Sequence, residues 1–225
     1  MSFLDLAVWH GLKGRHSIFA QGSELALRYD PAISVFAGIA QNDEASLKAL
    51  ASLVPEQGTV VLLQPNIAPT PNGCEVAFAA HGVQMVLAAQ EKLRPPLDFV
   101  DLGDADVPEM LALAELTKPG PFLRGTPKLG NFVGIRREGR LAAMAGERLK
   151  PDGYTEVSGV CTHPDFRGQG FAGSLSSLVA LRIVARGEIP FLHAISNNTT
   201  AIALYEKLGF ETRCEVHIMA LKRKA

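Results

Sequence analysis

The 225-residue chain has few cysteines, almost no net charge and no long uninterrupted apolar segment. Its three cysteines are odd in number and far apart, and neither a CxxC pair nor a clustered histidine accompanies them. The sequence therefore predicts neither a disulfide framework nor a zinc site, and we interpret the cysteines as small buried thiols. No residue pattern implies a metal.

Charge and hydropathy also exclude classes of partner. The net charge is −1, and the only basic run is the terminal "LKRK", so we expect no nucleic-acid or anionic-membrane partner. The opening "MSFLDLAVWHGLK" lacks the basic start of a leader peptide, and no apolar stretch reaches the roughly 18 residues of a membrane span. We expect a cytoplasmic protein, a monomer or homodimer, that acts on a small molecule.

A polar stretch with two adjacent prolines, residues 91–97, predicts a domain boundary. Before it, residues 1–97 read as a smaller α/β domain with a short amphipathic helix at residues 2–13 and a second helix, for which Asn42 and Asp43 are candidate caps. In this half, "CEVAFAAHG" and "VQMVLAA" read as two separate strands. After it, residues 98–225 predict a helix, a hairpin turning at "REGR", and then strand, helix, strand, helix and strand.

The segment "CTHPDFRGQGFAG", residues 161–173, places a proline, an arginine and three glycines where a strand gives way to a helix. Glycines let a ligand approach the backbone closely, and the unpaired N–H groups of a first helical turn favour an anion. The segment therefore predicts a phosphate-binding loop. Glycine-rich loops also bind nucleotides. Here, however, no GK[ST] motif follows the glycines, and the acidic residue of a dinucleotide-binding fold is not evident.

Two spaced motifs resemble the GCN5-related N-acetyltransferase (GNAT) superfamily. Its acyl-CoA signature, Q/R-x-x-G-x-G/A, is met by Arg167, Gly170 and Ala172 within "THPDFRGQG" and the residues that follow. About 25 residues downstream, "NTTAIALYEKLGF" matches a second family element. The stretch "TEVSGVCTHPDFRGQG" is also similar to the FR47-like and glycine N-acyltransferase branch.

The resemblance covers residues 98–225 and implies the GNAT fold there, a mixed and mostly antiparallel sheet flanked by helices. It implies acetyl-CoA as co-substrate and a primary amine of a small molecule or amino acid as acceptor, joined by direct attack in a ternary complex. Relatives often carry an N-terminal half that resembles a degenerate second acetyltransferase domain. For residues 1–97 we hold this as a hypothesis.

The resemblance also implies which residues hold coenzyme A. Backbone groups of Val160 and Thr162 would bind the acyl carbonyl and the pantetheine arm. The pyrophosphate would lie on a turn made of Arg167, Gly168, Gln169, Gly170, Phe171 and Ala172. Asn198 would hydrogen-bond the arm, although it equally fits the cap of the next helix, and both roles are compatible.

The resemblance implies Tyr205 as the general acid, and Glu156 lies where the similar glycine N-acyltransferase branch places its general base. An ammonium ionises near pH 10, so a carboxylate in a partly dry cleft is a sensible proton acceptor. Period-two alternation places Glu156 on one strand face with three later residues, Ser158, Val160 and Thr162. Each candidate has a structural alternative: a cross-strand-paired glutamate, and a tyrosine packed under the cleft. His193 is a secondary candidate base, and Cys161 a weaker candidate nucleophile that alternation directs away from Glu156.

Acceptor specificity is expected from the first helix after the boundary and from the loop that follows it, "TKPGPFLRGTPKLGN", because in this superfamily these segments cover the acceptor side of the cleft. Arg124 or Lys128 is a candidate for holding an acceptor carboxylate, and Phe122 for walling the pocket. Solvated charges on a surface loop explain the same residues.

Two other functions fit parts of the sequence. A non-catalytic acyl-CoA sensor would keep cofactor binding without chemistry, but the presence of both Glu156 and Tyr205 favours an enzyme. A nucleotide-binding enzyme would use the same glycine loop, but its companion motifs are missing.

Overall fold

The computed structural model describes residues 2–224, which form five α-helices and eleven β-strands. The helices are α1 (Ala7–Lys13), α2 (Glu44–Leu53), α3 (Val107–Thr117), α4 (Phe171–Ala185) and α5 (Thr199–Lys207). The strands are β1 (Ala20–Gly22), β2 (Ala26–Tyr29), β3 (Ala37–Ile39), β4 (Val60–Gln64), β5 (Cys74–Leu87), β6 (Val100–Leu102), β7 (Phe132–Arg137), β8 (Arg140–Glu147), β9 (Tyr154–Thr162), β10 (Ile189–Ile195) and β11 (Phe210–Arg223). Within residues 2–224, no helix is long and apolar enough to cross a bilayer.

Eight strands form one mixed sheet in the order β4-β11-β5-β10-β9-β8-β7-β6, and β1, β2 and β3 form a small separate sheet. Neighbours in the large sheet pair antiparallel except β9 and β10, which run parallel. Alternate residues of β7 enter two different cores: Val133 and Ile135 pack with α4, whereas Phe132 packs with α3. The helices therefore flank the sheet, which confirms the predicted α/β class.

Local sequence signals explain where several elements begin and end. The Asp43 carboxylate accepts a hydrogen bond from the Ser46 amide at 2.7 Å and caps α2, as predicted. The hairpin of β7 and β8 turns at Glu138 and Gly139, both of which have positive φ. Helix α3 is followed by Lys118 in the left-handed conformation, just before Pro119 and Gly120.

The expected boundary near residue 97 does not separate two sheets. Strand β5 comes from the N-terminal half, yet it lies between β10 and β11, and β4 pairs with the other edge of β11. Residues 1–97 therefore supply two strands, β4 and β5, to the sheet that residues 98–225 form. Periodicity describes one strand at a time and carries no information about which strands pair.

The two strands expected between residues 74 and 89 are one continuous strand, β5. Gly82, interpreted as a strand end, lies in its middle. A Cβ added there would lie 2.8 Å from the carbonyl oxygen of Ala194 on β10. The glycine therefore allows close approach of a neighbouring backbone and does not mark a turn.

Strand β9 contains a bulge that changes which of its residues share a face. The register pairs Met144 with Cys161 and Gly146 with Ser158, so one residue of β8 lies opposite two of β9. Gly159, in the bulge, has φ of +64°. As a result, two β9 residues three positions apart, Val157 and Val160, pack in the same core with α4.

The bulge corrects two expectations based on strict alternation. Val160 and Thr162 do not share the face of Glu156, because the extra residue reverses the alternation beyond Ser158. Cys161, expected to point away from Glu156, instead lies on the same side of the sheet, where it packs in the core with α3.

Candidate functional site

The parallel strands β9 and β10 pair at only three positions, from Tyr154 with Ile189 to Glu156 with Phe191. Beyond these pairs β9 remains hydrogen-bonded to β8 and β10 to β5, so the two parallel strands diverge. A cavity of about 390 Å³ opens beside the gap. Its lining includes residues 157–160 of β9, 193–195 of β10, the loop of residues 118–121, and Tyr205 of α5.

The predicted phosphate loop lies between the end of β9 and the start of α4. Gly168 and Gly170 have φ of +80° and +76°, a region that favours glycine. A Cβ added at either position would meet no atom within 4 Å, so the space around the loop is open. Within residues 2–224, the amides of residues 168–170 donate to no backbone carbonyl. Free amides at the start of a 15-residue helix are an arrangement that binds phosphate groups.

The predicted coenzyme A residues differ in exposure. Within the loop and the first turn of α4, the Phe171 side chain is buried and Ala172 is half-buried. The four residues just before the helix are exposed: Arg167, Gly168, Gln169 and Gly170. The first turn of α4 packs against α5, because a Cβ on Gly173 would lie 3.1 Å from Cδ1 of Leu204. The next residue of α5, Tyr205, lines the cavity.

Two of the three predicted contacts to the acyl group and pantetheine arm line the cavity. Val160 and Asn198 do so, whereas Thr162 does not. The Asn198 side-chain oxygen accepts a hydrogen bond from the Ala201 amide at 3.1 Å, so it caps α5 while its residue faces the cavity. The cap and the ligand contact are geometrically compatible.

Glu156 lies behind the cavity wall. Its side chain is 0 % exposed and both its oxygens are engaged. Nε and Nη2 of Arg148 each donate to it at 2.7 Å, the Leu149 amide donates at 3.2 Å, and Nδ1 of His193 lies 2.7 Å away. Burial by itself raises the pKa of this carboxyl, but the Arg148 charge and hydrogen bonds outweigh it and lower the pKa to about 2.

His193 connects Glu156 to the cavity, which its own side chain lines. Its second nitrogen, Nε2, lies 3.1 Å from the amide nitrogen of Gln84. That amide is oriented by Arg213, which donates to its oxygen at 2.8 Å, so we assign Nε2 of His193 as the acceptor and Nδ1 as the donor to Glu156. Sequence reasoning missed Arg148 and Gln84, because neither belongs to a motif.

Tyr205 is 9 % exposed and lines the cavity. Burial, with smaller contributions from Cys161 and Glu156, raises the pKa of its hydroxyl to about 12, so the phenol stays protonated at neutral pH. Burial likewise raises the pKa of the Cys161 thiol to about 11. A protonated thiol packed against α3 is a poor nucleophile, which argues against a covalent role.

The expected acceptor residues lie away from the main cavity. Arg124 and Lys128 line a separate surface depression together with Asp104. Phe122 packs edge-on against Phe132 beside a small second cavity that adjoins the first. Arg148 is the cationic side chain that lines both the main cavity and this small second cavity.

Comparison with known proteins agrees with this geometry. The FR47-like protein family model matches residues 132–218. An acetyltransferase from Yersinia enterocolitica is 45 % identical over 53 residues, and one from Pectobacterium atrosepticum is 44 % identical over 52. These matches span 23 % and 22 % of this chain and only 37 % and 36 % of the relatives' own lengths.

A solved structure extends the likeness to the whole chain. The crystal structure of a protein from Novosphingobium aromaticivorans DSM 12444, assigned to the GNAT family of acetyltransferases, is 40 % identical, with a TM-score of 0.93 and 100 % of both chains covered. A GCN5-related N-acetyltransferase from Kribbella flavida shares the fold at 17 % identity and a TM-score of 0.65, over 98 % of this chain and 96 % of that one. With its glycine loop, diverging parallel strands and this full-length likeness, the chain belongs to the GNAT family, and its residues 132–218 match the FR47-like family model.

Proposed function

We propose that the protein transfers an acetyl group from acetyl-CoA to a primary amine while both substrates are bound. The observation that carries this proposal is the cavity beside the diverging ends of β9 and β10, with Tyr205 in its wall, together with the free amides of residues 168–170 at the start of α4. A thioester arm placed along this gap would bring its carbonyl to the β9 backbone and its sulfur towards α5.

The loop before α4 fits the pyrophosphate of coenzyme A. Its amides are unpartnered within residues 2–224 and the surrounding space is open. The helix dipole adds partial positive charge at the same end, and the exposed Arg167 adds a full one. Coenzyme A would therefore be held mainly through backbone groups.

The β9 bulge and Tyr205 have complementary roles in acyl transfer. Attack by the amine places negative charge on the thioester oxygen, and Val160, which lies in the bulge outside the paired register, offers a backbone amide to that charge. The departing thiolate needs a hydrogen-bond donor. Because the pKa of Tyr205 is about 12, its hydroxyl is a donor that remains protonated, and an ordinary thiol ionises near pH 8.5. Tyr205 therefore stabilises the thiolate mostly by hydrogen bonding.

Glu156 acts in this scheme as a positioning residue. A carboxylate whose pKa is about 2 is a weak proton acceptor, and it does not line the cavity. That Glu156 is the general base stays a prediction. A proton would have to reach it through His193. Accepting a proton at Nε2 of His193 would require the contact with Gln84 to yield.

Release of free thiol from acetyl-CoA, measured against amino acids, polyamines, aminoglycosides and peptide N-termini, tests the proposal. We expect amine-dependent release together with a thermal shift by coenzyme A. Gly170→Glu should abolish the shift, because it places a side chain and a negative charge on the loop. Gly187→Glu is the matched control, since Gly187 has φ of +77° and lies beyond the other end of α4. A thermal shift without release from any acceptor would favour an acyl-CoA sensor, and no shift would contradict the phosphate loop.

A further inference from the structure

We propose that the acceptor is an α-amino acid with an apolar side chain, and that Arg148 binds its carboxylate. This inference rests on the proposed transferase function, because it assigns the second substrate of the same cavity. It is carried by the hydrogen bonds of Arg148, by the charges around the cavity and by the apolar residues that line it.

Arg148 is fixed in place but retains hydrogen-bonding capacity. Its side chain is 12 % exposed, and its guanidinium carbon lies 4.8 Å from the centre of the Phe36 ring. Nε and Nη2 bind Glu156, whereas Nη1 has no hydrogen-bond partner within residues 2–224. The residue lines both the main cavity and the small cavity beside it. A positioned guanidinium nitrogen without a partner, at a cavity wall, is suited to an anionic ligand group.

The charges around the cavity also favour an anion. No Asp or Glu side chain of the described residues lines it, whereas Lys118 and Arg148 both do. The nearest carboxylate contact of Arg148 is Glu156, which is enclosed and already shared with His193. Ser158 lines the same two cavities as Arg148 and offers a hydroxyl to the same ligand group. An amine without an anionic group would leave this nitrogen without a charged partner.

Part of the cavity lining is apolar and comes largely from the N-terminal half. Phe36, Val61, Leu63 and Phe78 contribute to it, and Ile218 of β11 completes it. Such a wall favours an apolar substituent on the acceptor. A cavity of about 390 Å³ that must also admit the acyl arm leaves room only for a small one. An amino acid of leucine size meets these requirements together.

Calorimetric titration of the protein without acetyl-CoA tests the assignment independently of catalysis. Three probes are compared: leucine, 4-methylpentanoate, which lacks the amine, and 3-methylbutylamine, which lacks the carboxylate. We expect leucine and 4-methylpentanoate to bind roughly tenfold to a hundredfold more tightly than 3-methylbutylamine, the range for one hydrogen bond to a charged group. Equal binding of leucine and 3-methylbutylamine by the unaltered protein would overturn the assignment.

Two variants then locate the carboxylate. Arg148→Lys keeps the charge but loses the planar guanidinium. The variant should bind leucine and 4-methylpentanoate more weakly, with affinities close to that for 3-methylbutylamine. Arg186→Lys is the matched control, because Arg186 pairs with the buried Glu147 and does not line the cavity. Full leucine affinity in Arg148→Lys would contradict our proposal. If the expected binding pattern is found but acetyl-CoA releases no thiol with leucine, the transferase function fails while the carboxylate site stands.

Discussion

Replacing Glu156 by glutamine removes one charge from a buried pair and leaves the shape of the side chain nearly unchanged. The carboxylate is 0 % exposed and receives two hydrogen bonds of 2.7 Å from Arg148. In Glu156→Gln the guanidinium stays buried without its counter-charge. We therefore expect a large loss of stability even though no cavity is created.

The magnitude follows from two independent routes. The pKa of Glu156 falls from 4.5 to about 2, so linkage assigns the ionised carboxylate about 3 kcal/mol of stability at neutral pH. Breaking a buried ion pair by removing one partner costs about 3–5 kcal/mol in general. For a chain of this length, about 3 kcal/mol lowers Tm by about 6–12 °C.

The sign of the pH dependence gives a second check. Because the folded pKa lies below the unfolded one, the stabilisation is complete above about pH 4.5 and is lost as the pH falls towards 2. Urea unfolding of the wild type and Glu156→Gln should therefore show a difference of about 3 kcal/mol at pH 7 that shrinks between pH 4.5 and pH 3. A difference below about 1 kcal/mol, or one that does not change with pH, would refute the reasoning.

Two further variants serve as controls for this prediction. Glu75→Gln removes the same charge from the exposed pair with Lys222, at 2.9 Å, and should cost less than about 1 kcal/mol. Adding Arg148→Met to Glu156→Gln should recover part of the lost stability, because no uncompensated buried charge remains.

Three further predictions concern catalysis and local structure. Tyr205→Phe should lower kcat about a hundredfold with little change in KM for acetyl-CoA, since only the donor to the thiolate is lost; an unchanged kcat would remove Tyr205 from the mechanism. Asp43→Ala should lower the unfolding free energy in urea without changing kcat, because it removes the α2 cap. Gly159→Ala should destabilise more than Gly139→Ala in urea, because both have positive φ but a Cβ on Gly159 would lie 2.9 Å from the Phe132 ring and one on Gly139 would meet nothing within 4 Å. Equal losses would argue against the crowded bulge.

Much of the element order could be predicted because it depends on local signals. The Asp43 cap and the glycine turn between β7 and β8 each act within a few residues. The strand pairing could not be predicted, because β5 pairs with β10 and β11, which lie more than a hundred residues later in the sequence. Two parts of the chain that read as separate domains therefore share one sheet.

The candidate site divides in the same way. By itself, the sequence determined the loop of residues 167–172, since glycine conformation and a free helix start are properties of neighbouring residues. Only the tertiary structure decided what surrounds Glu156. One inserted residue at Gly159 reverses which face of β9 the later residues share. The guanidinium of Arg148, from the connection between β8 and β9, donates hydrogen bonds to the Glu156 carboxylate. Side-chain partners depend on register and on distant packing, and those are settled only when the whole sheet forms.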